Sequence, residues 1–202
     1  MQSSFFRPVL SALFTALIVV GAYIAIPFVP VPLVLANFFA LLAGLLLGPF
    51  WGGVAVLLYL VLGTIGLPVF AGGTGGFAHF LTPTGGFLLG YLAMAVIAGL
   101  IARGLGNRPA TAGGDQGDQV ASPAKGHKPA GLIRLALAGL AGVVVLYAVG
   151  LPWFQAMMGA RNPQKFPDLL AAGLFMAPYL VGDLVKVAAA VLITRSLRPL
   201  LG

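Results

Sequence analysis

With 202 residues, 60% of them hydrophobic and 7% charged, and a mean hydropathy of +1.05, the chain lies far outside the range of soluble domains and reads as a membrane protein. Its formal charge of +7 comes from basic residues set singly or in pairs at the ends of apolar runs, a pattern of topology signals that argues against nucleic-acid binding. Cysteine is absent, which removes disulfides, thiolate metal sites and a cysteine nucleophile.

The apolar runs suit helices, which need roughly 20 residues to cross a bilayer, and lack the alternation of a barrel strand. Punctuation by Pro, Gly and the few charges predicts an all-α membrane protein with six transmembrane helices over residues 8–26, 33–48, 51–66, 85–102, 132–149 and 169–193. The first run, "PVLSALFTALIVVGAYIAI" after Arg7, is longer than the apolar core of a leader, about 7–15 residues, and no small-x-small cleavage signal closes it. A span is therefore expected there. Within it Ala12 and Ala16 form a small-xxx-small pair that admits close approach of another helix, internal packing being the plainer reading.

The second and third spans are short, and "LLLGPFWGG" between them leaves room only for a tight turn. The stretch "GLPVFAGGTGGFAHFLTPTGG" at 66–86 then breaks the helical pattern with clustered glycines. Irregular backbone near a membrane survives where protein or a water-filled cavity surrounds it, so a structured, partly re-entrant loop between helices three and four is expected. Residues 104–130, rich in Gly, Ala, Pro and polar side chains, have no apolar cluster to fold around. They read as a disordered cytoplasmic linker with a solvated His127, which leaves 1–202 as a single membrane-embedded domain.

Orientation follows from the basic residues. With the N-terminus inside, Arg7, Arg103, Arg108, Lys125, Lys128, Arg134, Arg195 and Arg198 are cytoplasmic, against Arg161 and Lys165 outside. Both termini are thus expected in the cytoplasm.

The last run, "PYLVGDLVKVAAAVLI", holds two ionisable residues, although no Asp, Glu, Lys or Arg occurs anywhere between Arg7 and Arg103. Each such residue costs roughly 2.5–3.5 kcal/mol at mid-bilayer, so Asp183 and Lys186 need a partner or a cavity. At i and i+3 they share a helix face, with Cβ atoms about 5–6 Å apart, and can pair with each other or straddle one ligand. A helix starting or kinking at Pro178 would set Asp183 about 8 Å further in, lining a pocket open to the outside. A carboxylate accepts N–H donors while an ammonium donates to a carbonyl, so a ureido or amide-like group answers both. The alternative is a self-satisfied ion pair that packs the helix.

Other chemistry finds little support. There is no Walker A motif, no HExxH and no glutamate, so neither ATP hydrolysis nor metalloprotease chemistry is indicated, and no catalytic residue, metal or cofactor is assigned. An intramembrane enzyme built on His79 and Asp183 would lack a nucleophile motif.

Taken together, "ALFTALIVVGAYIAIPF", "VPVPLVLANFFALLAGLLLGPFWGG", "GLPVFAGGTGGFAHFLTPTGGFLLGY", "YAVGLPW" and "PYLVGDLVK" resemble the BioY family, the biotin-specific membrane-embedded S components of energy-coupling factor transporters. The resemblance covers nearly all of the chain outside the linker. It implies the six-helix S-component fold in a bacterial inner membrane, with biotin captured from outside and uptake driven by a transmembrane T component and two cytoplasmic ATPases. Some members are thought to act without that module, which implies as an alternative a solitary secondary carrier, proton-coupled through Asp183.

Residue by residue, the resemblance implies that Asp183 and Lys186 hydrogen-bond the ureido ring, that Thr74 is a polar loop contact, and that Gly73, Gly75 and Gly76 let the loop close over the ligand. Tyr147 and Trp153 match aromatic positions near the outer end of the pocket, and Ala12 and Ala16 match the helix-one motif that meets the T component. The sequence departs from the family at Val34 and Ala36, where relatives commonly carry Thr and Gln, which leaves Asn37 as the one polar side chain nearby. It departs again at Phe87 and Leu88, where some relatives place an Arg. The partner of the valerate carboxylate stays open among loop N–H groups, Thr74, His79 and Lys165.

Overall fold

Backbone polar groups inside hydrocarbon have no water to bond, so an apolar run must satisfy them within its own segment, as a helix does. The computed structural model, which describes residues 3–26, 31–104 and 131–201, follows that rule with α1 (Ser3–Tyr23), α2 (Ala36–Thr64), α3 (Gly85–Arg103), α4 (Leu132–Arg161) and α5 (Leu169–Leu201). Among the described residues these five helices are long and apolar enough to cross a membrane. Two short antiparallel strands, β1 (Ala25–Ile26) and β2 (Leu33–Val34), pair Ala25 with Val34 and Ile26 with Leu33. Together with the Leu35 N–H, which donates to Gly21 O at 3.0 Å, they fold the start of α2 against the end of α1.

Six helices were expected, and among the described residues the five long elements hold six helical stretches, because α2 contains two. The second and third expected spans join in α2, which is broken internally at Gly48, where φ is 81° and ψ −176°. Pro49 follows and has no N–H to extend the ladder. The expected end of the fifth span at residue 149 is also corrected, because α4 continues through Pro152 to Arg161. The last helix, α5, starts at Leu169 as expected and runs past residue 193 to Leu201, and Pro178 neither begins nor ends it. Proline is a weak stop signal here because unpaired carbonyls are costlier in an apolar setting than in water. The expected linker lies, apart from Gly104, outside the described residues, as does His127.

Small polar side chains and glycines set the helix spacing. On α1 the buried positions Ser11, Phe14, Thr15, Ile18 and Ala22 recur at helical spacing and face the second half of α2. There Ser11 Oγ donates to Trp51 O at 3.0 Å and Thr15 Oγ1 to Ala55 O at 2.9 Å. The first half of α2 crosses α3 closely, since a Cβ on Gly44 would sit 2.3 Å from Ala95 O. The apolar side chains left exposed, among them Val9, Val144 and Val185, form the surface that a bilayer would cover.

The bundle has two different ends. At one, arginines cap helix C-termini: Arg103 donates to Leu47 O, Arg198 to Leu45 O at 2.8 Å and Ala102 O at 3.3 Å, and Arg134 Nε to Ile101 O at 2.7 Å. At the other, the segment between Thr64 and Gly85 folds over the helices. In it Phe70 bridges to Thr74, the Gly76 N–H donates to Gly63 O at 2.7 Å, Phe77–Leu81 forms a 3₁₀ turn, and the Tyr23 hydroxyl donates to Pro68 O.

Candidate ligand-binding site

The isolated charges of α5 lie at the second of these ends, on the face turned into the bundle. Asp183 is 6% exposed, and Lys186 Nζ approaches its Oδ1 to 3.0 Å. The same ammonium donates to Val34 O at 2.8 Å and to Asn37 Oδ1 at 2.9 Å, which engages all three of its protons. Asn37 completes a ring of bonds, because its Nδ2 donates to Asp183 Oδ1 at 2.7 Å. The Tyr147 hydroxyl donates to Asp183 Oδ2 at 2.9 Å. Three donors thus reach a carboxylate with about four acceptor positions. The pair carries no net charge, which lowers its cost in an apolar setting, and it retains acceptor capacity on Oδ2.

Local sequence explains this placement. Spacing of three on α5 puts both charged side chains on one face, and the β1–β2 turn brings Val34 and Asn37, at the entry to α2, against that face. Tyr147 comes from α4, where Gly150 leaves room for the Phe87 ring, whose centroid stands 5.9 Å from that of Tyr147.

These groups line a cavity. It offers about 70 Å³ to solvent centres, several times the roughly 10–15 Å³ that a single water occupies by that measure. One part of the wall is polar, with Asn37, Asp183 and Lys186. Five aromatic side chains, Tyr59, Phe87, Tyr91, Tyr147 and Tyr179, also line the cavity, and the Phe87 ring meets that of Tyr147. His79 and Thr84, from the segment that covers the bundle, supply a second polar part. An apolar body with polar ends is what such a wall accommodates.

Of the residues expected from sequence, Asp183, Lys186, Asn37 and Tyr147 come together on this wall. Thr74, Gly73, Gly75, Gly76 and Trp153 are not part of it. Thr74 Oγ1 donates to Ala71 O at 3.0 Å and lies 3.1 Å from His79 Nδ1, behind the ring that lines the cavity. Gly73 sits beside Tyr23, with its Cβ position 3.6 Å from the phenol ring, and Gly75 packs on the Leu67 carbonyl. Trp153 Nε1 donates to Thr82 O at 3.1 Å, and the side chain fills the space left by Gly86, bracing the covering segment against α4. Lys165 stands over the Phe175 and Phe166 rings, 5.1 and 5.6 Å from their centroids. Ala12 and Ala16 are exposed on α1, away from its packed face.

Sequence reasoning overlooked Tyr59, Tyr91, Tyr179 and Thr84. The available signal was that tyrosines interrupt runs of Leu, Val and Ala, and a hydroxyl in hydrocarbon needs a partner. Tyr179 finds one in Val31 O at 2.8 Å.

Comparison with known proteins adds an independent line. A profile of the BioY family matches residues 2–202. The chain is 37% identical to a probable biotin transporter BioY of Pyrococcus horikoshii, with 94% of each chain covered. It is 38% identical to the biotin transporter BioY of Rhodobacter capsulatus over 93% of this chain and 90% of that one. Among solved structures, the S-component for biotin from an ECF-type ABC transporter superposes with a TM-score of 0.76 at 30% identity, covering 98% of this chain and 95% of the other.

Proposed function

The chain belongs to the BioY family, a family of multi-pass membrane transporters and not of enzymes, and from that premise we propose that it binds biotin in the cavity beside Asp183 and mediates its uptake. The observation that carries this reading is the neutral Asp183–Lys186 pair on the wall of a cavity that aromatic side chains also line. A cyclic urea presents N–H donors flanking one carbonyl acceptor. Its N–H groups match the carboxylate of Asp183, and its carbonyl takes a proton of Lys186 or Asn37 Nδ2 in exchange for one of the internal bonds. The exchange costs little because each bond given up is replaced by another of the same kind. Tyr59, Tyr91 and Tyr147 supply apolar faces for the fused ring.

Orientation follows from the end that gathers arginines. Arg103, Arg134 and Arg198 bind carbonyls at the end opposite the cavity, and the bias of basic residues toward the cytoplasm makes that side internal. The cavity and the segment at 65–84 then face outward, consistent with capture of biotin from outside by an S component. Energy is supplied by a T component with two ATPases, and the exposed Ala12 and Ala16 on α1 form the surface it meets.

Binding of labelled biotin to the purified chain tests the assignment. Asp183→Asn keeps the shape of the side chain but removes the charge-assisted bonds, each about 1.5–3 kcal/mol, so affinity is expected to fall roughly 10- to 100-fold. Undiminished binding in Asp183→Asn and in Lys186→Met would remove the site from contention.

A further inference from the structure

Biotin, on the reading above, has an ionised carboxylate at the end opposite its urea, and the Asp183–Lys186 end of the cavity carries no net charge to receive it. The second polar part of the wall differs in kind. There His79 Nδ1 lies 3.1 Å from Thr74 Oγ1, and Nε2 lies 3.4 Å from Thr84 Oγ1. The hydroxyl hydrogens near the ring have other acceptors. Thr74 donates to Ala71 O at 3.0 Å, and Thr82 donates to His79 O at 2.6 Å, which leaves the Thr82 lone pairs to take the Thr84 hydrogen at 2.9 Å. Both hydroxyls beside the imidazole therefore turn lone pairs toward it. A ring with N–H on both nitrogens satisfies them, whereas a neutral ring satisfies one.

The two ring nitrogens are not equivalent. Thr84 lines the cavity and Thr74 does not, so the Nε2 edge is the one presented to a ligand, while Nδ1 is anchored behind. The Nε2 contact is also the longer of the two, and an anion that accepts a charge-assisted bond displaces it readily. The two polar parts are separated by aromatic rings. Thr84 precedes α3, Phe87 follows within its first turn, the Phe87 ring meets Tyr147, and Tyr147 reaches Asp183.

We propose that His79, held by Thr74 and assisted by Thr84, is the cationic subsite that receives the ligand's carboxylate, so that the cavity reads a molecule with a cyclic urea at one end and an acid at the other. This rests on the assignment of biotin as ligand. Of the candidates, which were loop N–H groups, Thr74, His79 and Lys165, it gives the part to His79; neither Thr74 nor Lys165 lines the cavity. The carboxylate then selects against neutral derivatives of the same ring system.

The test compares biotin with its primary amide, which keeps the ring and chain but not the charge, on the wild-type chain and on His79→Phe and His79→Gln. The wild type is expected to prefer the acid, and each variant to reduce the acid-to-amide affinity ratio about tenfold. Measurable amide binding in a variant shows that it folds, and Gln, which retains a neutral donor, serves if Phe does not fold. A ratio equal to that of the wild type in the folded variant overturns the His79 subsite while leaving biotin binding intact. Failure of the wild type to bind either compound overturns the assignment of biotin itself, and this subsite with it.

Discussion

A carboxylate survives in an apolar bundle when its charge is matched and most of its lone pairs are occupied, and Asp183 meets both conditions through Lys186, Asn37 and Tyr147 while Oδ2 keeps room for a further donor. His79 is placed differently: burial lowers its pKa from the usual 6.5, so in the free protein the ring is neutral over more of the pH range. A bound carboxylate reverses that preference and raises the pKa in the complex above that of the free protein. The sign follows by linkage, because the state with the higher pKa gains from protonation. Affinity for biotin is expected to rise several-fold as pH falls from about 8 to about 5.5, a window in which the ligand's own acid stays ionised. Tyr59, Tyr91, Tyr147, Tyr179, Asp183 and Lys186 share the cavity with His79, and all of them are kept in His79→Gln, which isolates the part of His79. Isothermal titration over this range, with the amide as reference, checks the slope, which should vanish in His79→Gln.

Among the secondary elements, α2 depends most on one residue. The break at Gly48 combines φ 81° with ψ −176°, a region that essentially only glycine occupies at low cost. It also opens the seat in which the Arg103 guanidinium reaches Leu47 O, since a Cβ there would lie 1.9 Å from Nε. Gly48→Ala therefore meets both backbone strain and displacement of a capping arginine. A loss of about 1–3 kcal/mol is expected, seen as a lower thermal midpoint in detergent. Because the break lies at the end opposite the cavity, biotin affinity at low temperature should change little. Pro152 and Pro178 show the opposite behaviour, lying within helices that continue.

The molecule as a whole is organised by its two ends and its lipid-facing flank. The flank of α1 that carries Ala12 and Ala16 is exposed and apolar, with Val9 64% and Val20 52% exposed beside them, while its opposite face is committed to α2 through Ser11 and Thr15. The proposed function therefore places ligand binding and assembly with a partner on different surfaces. Replacing Ala12 and Ala16 together by Leu is expected to leave biotin binding within about twofold of wild type, because neither residue lines the cavity. ATP-driven uptake in vesicles with the complete transporter should fall at least tenfold, since bulky side chains block close helix approach. Uptake equal to wild type would move the partner surface elsewhere.

Much of the architecture was legible in the order of residues because membrane helices answer to a simple rule: long apolar runs must close their own hydrogen bonds. The placement of α1 and α3 and the pairing of Asp183 with Lys186 at a spacing of three follow from rules of that local kind. What local rules misjudged was proline, since Pro152 and Pro178 lie within helices that continue, whereas the tight turn expected at "LLLGPFWGG" falls at the break of Gly48. Asn37 and Asp183 are 146 positions apart, and no local signal reports their bond of 2.7 Å. Nor does spacing reveal that His79 turns toward a cavity while Thr74, five residues earlier, stands behind it. Hydropathy belongs to each residue and periodicity to its near neighbours, so sequence alone determined the membrane class and the helical runs. Only the tertiary structure decided which polar groups meet across helices, because contacts between distant segments depend on how the whole bundle packs.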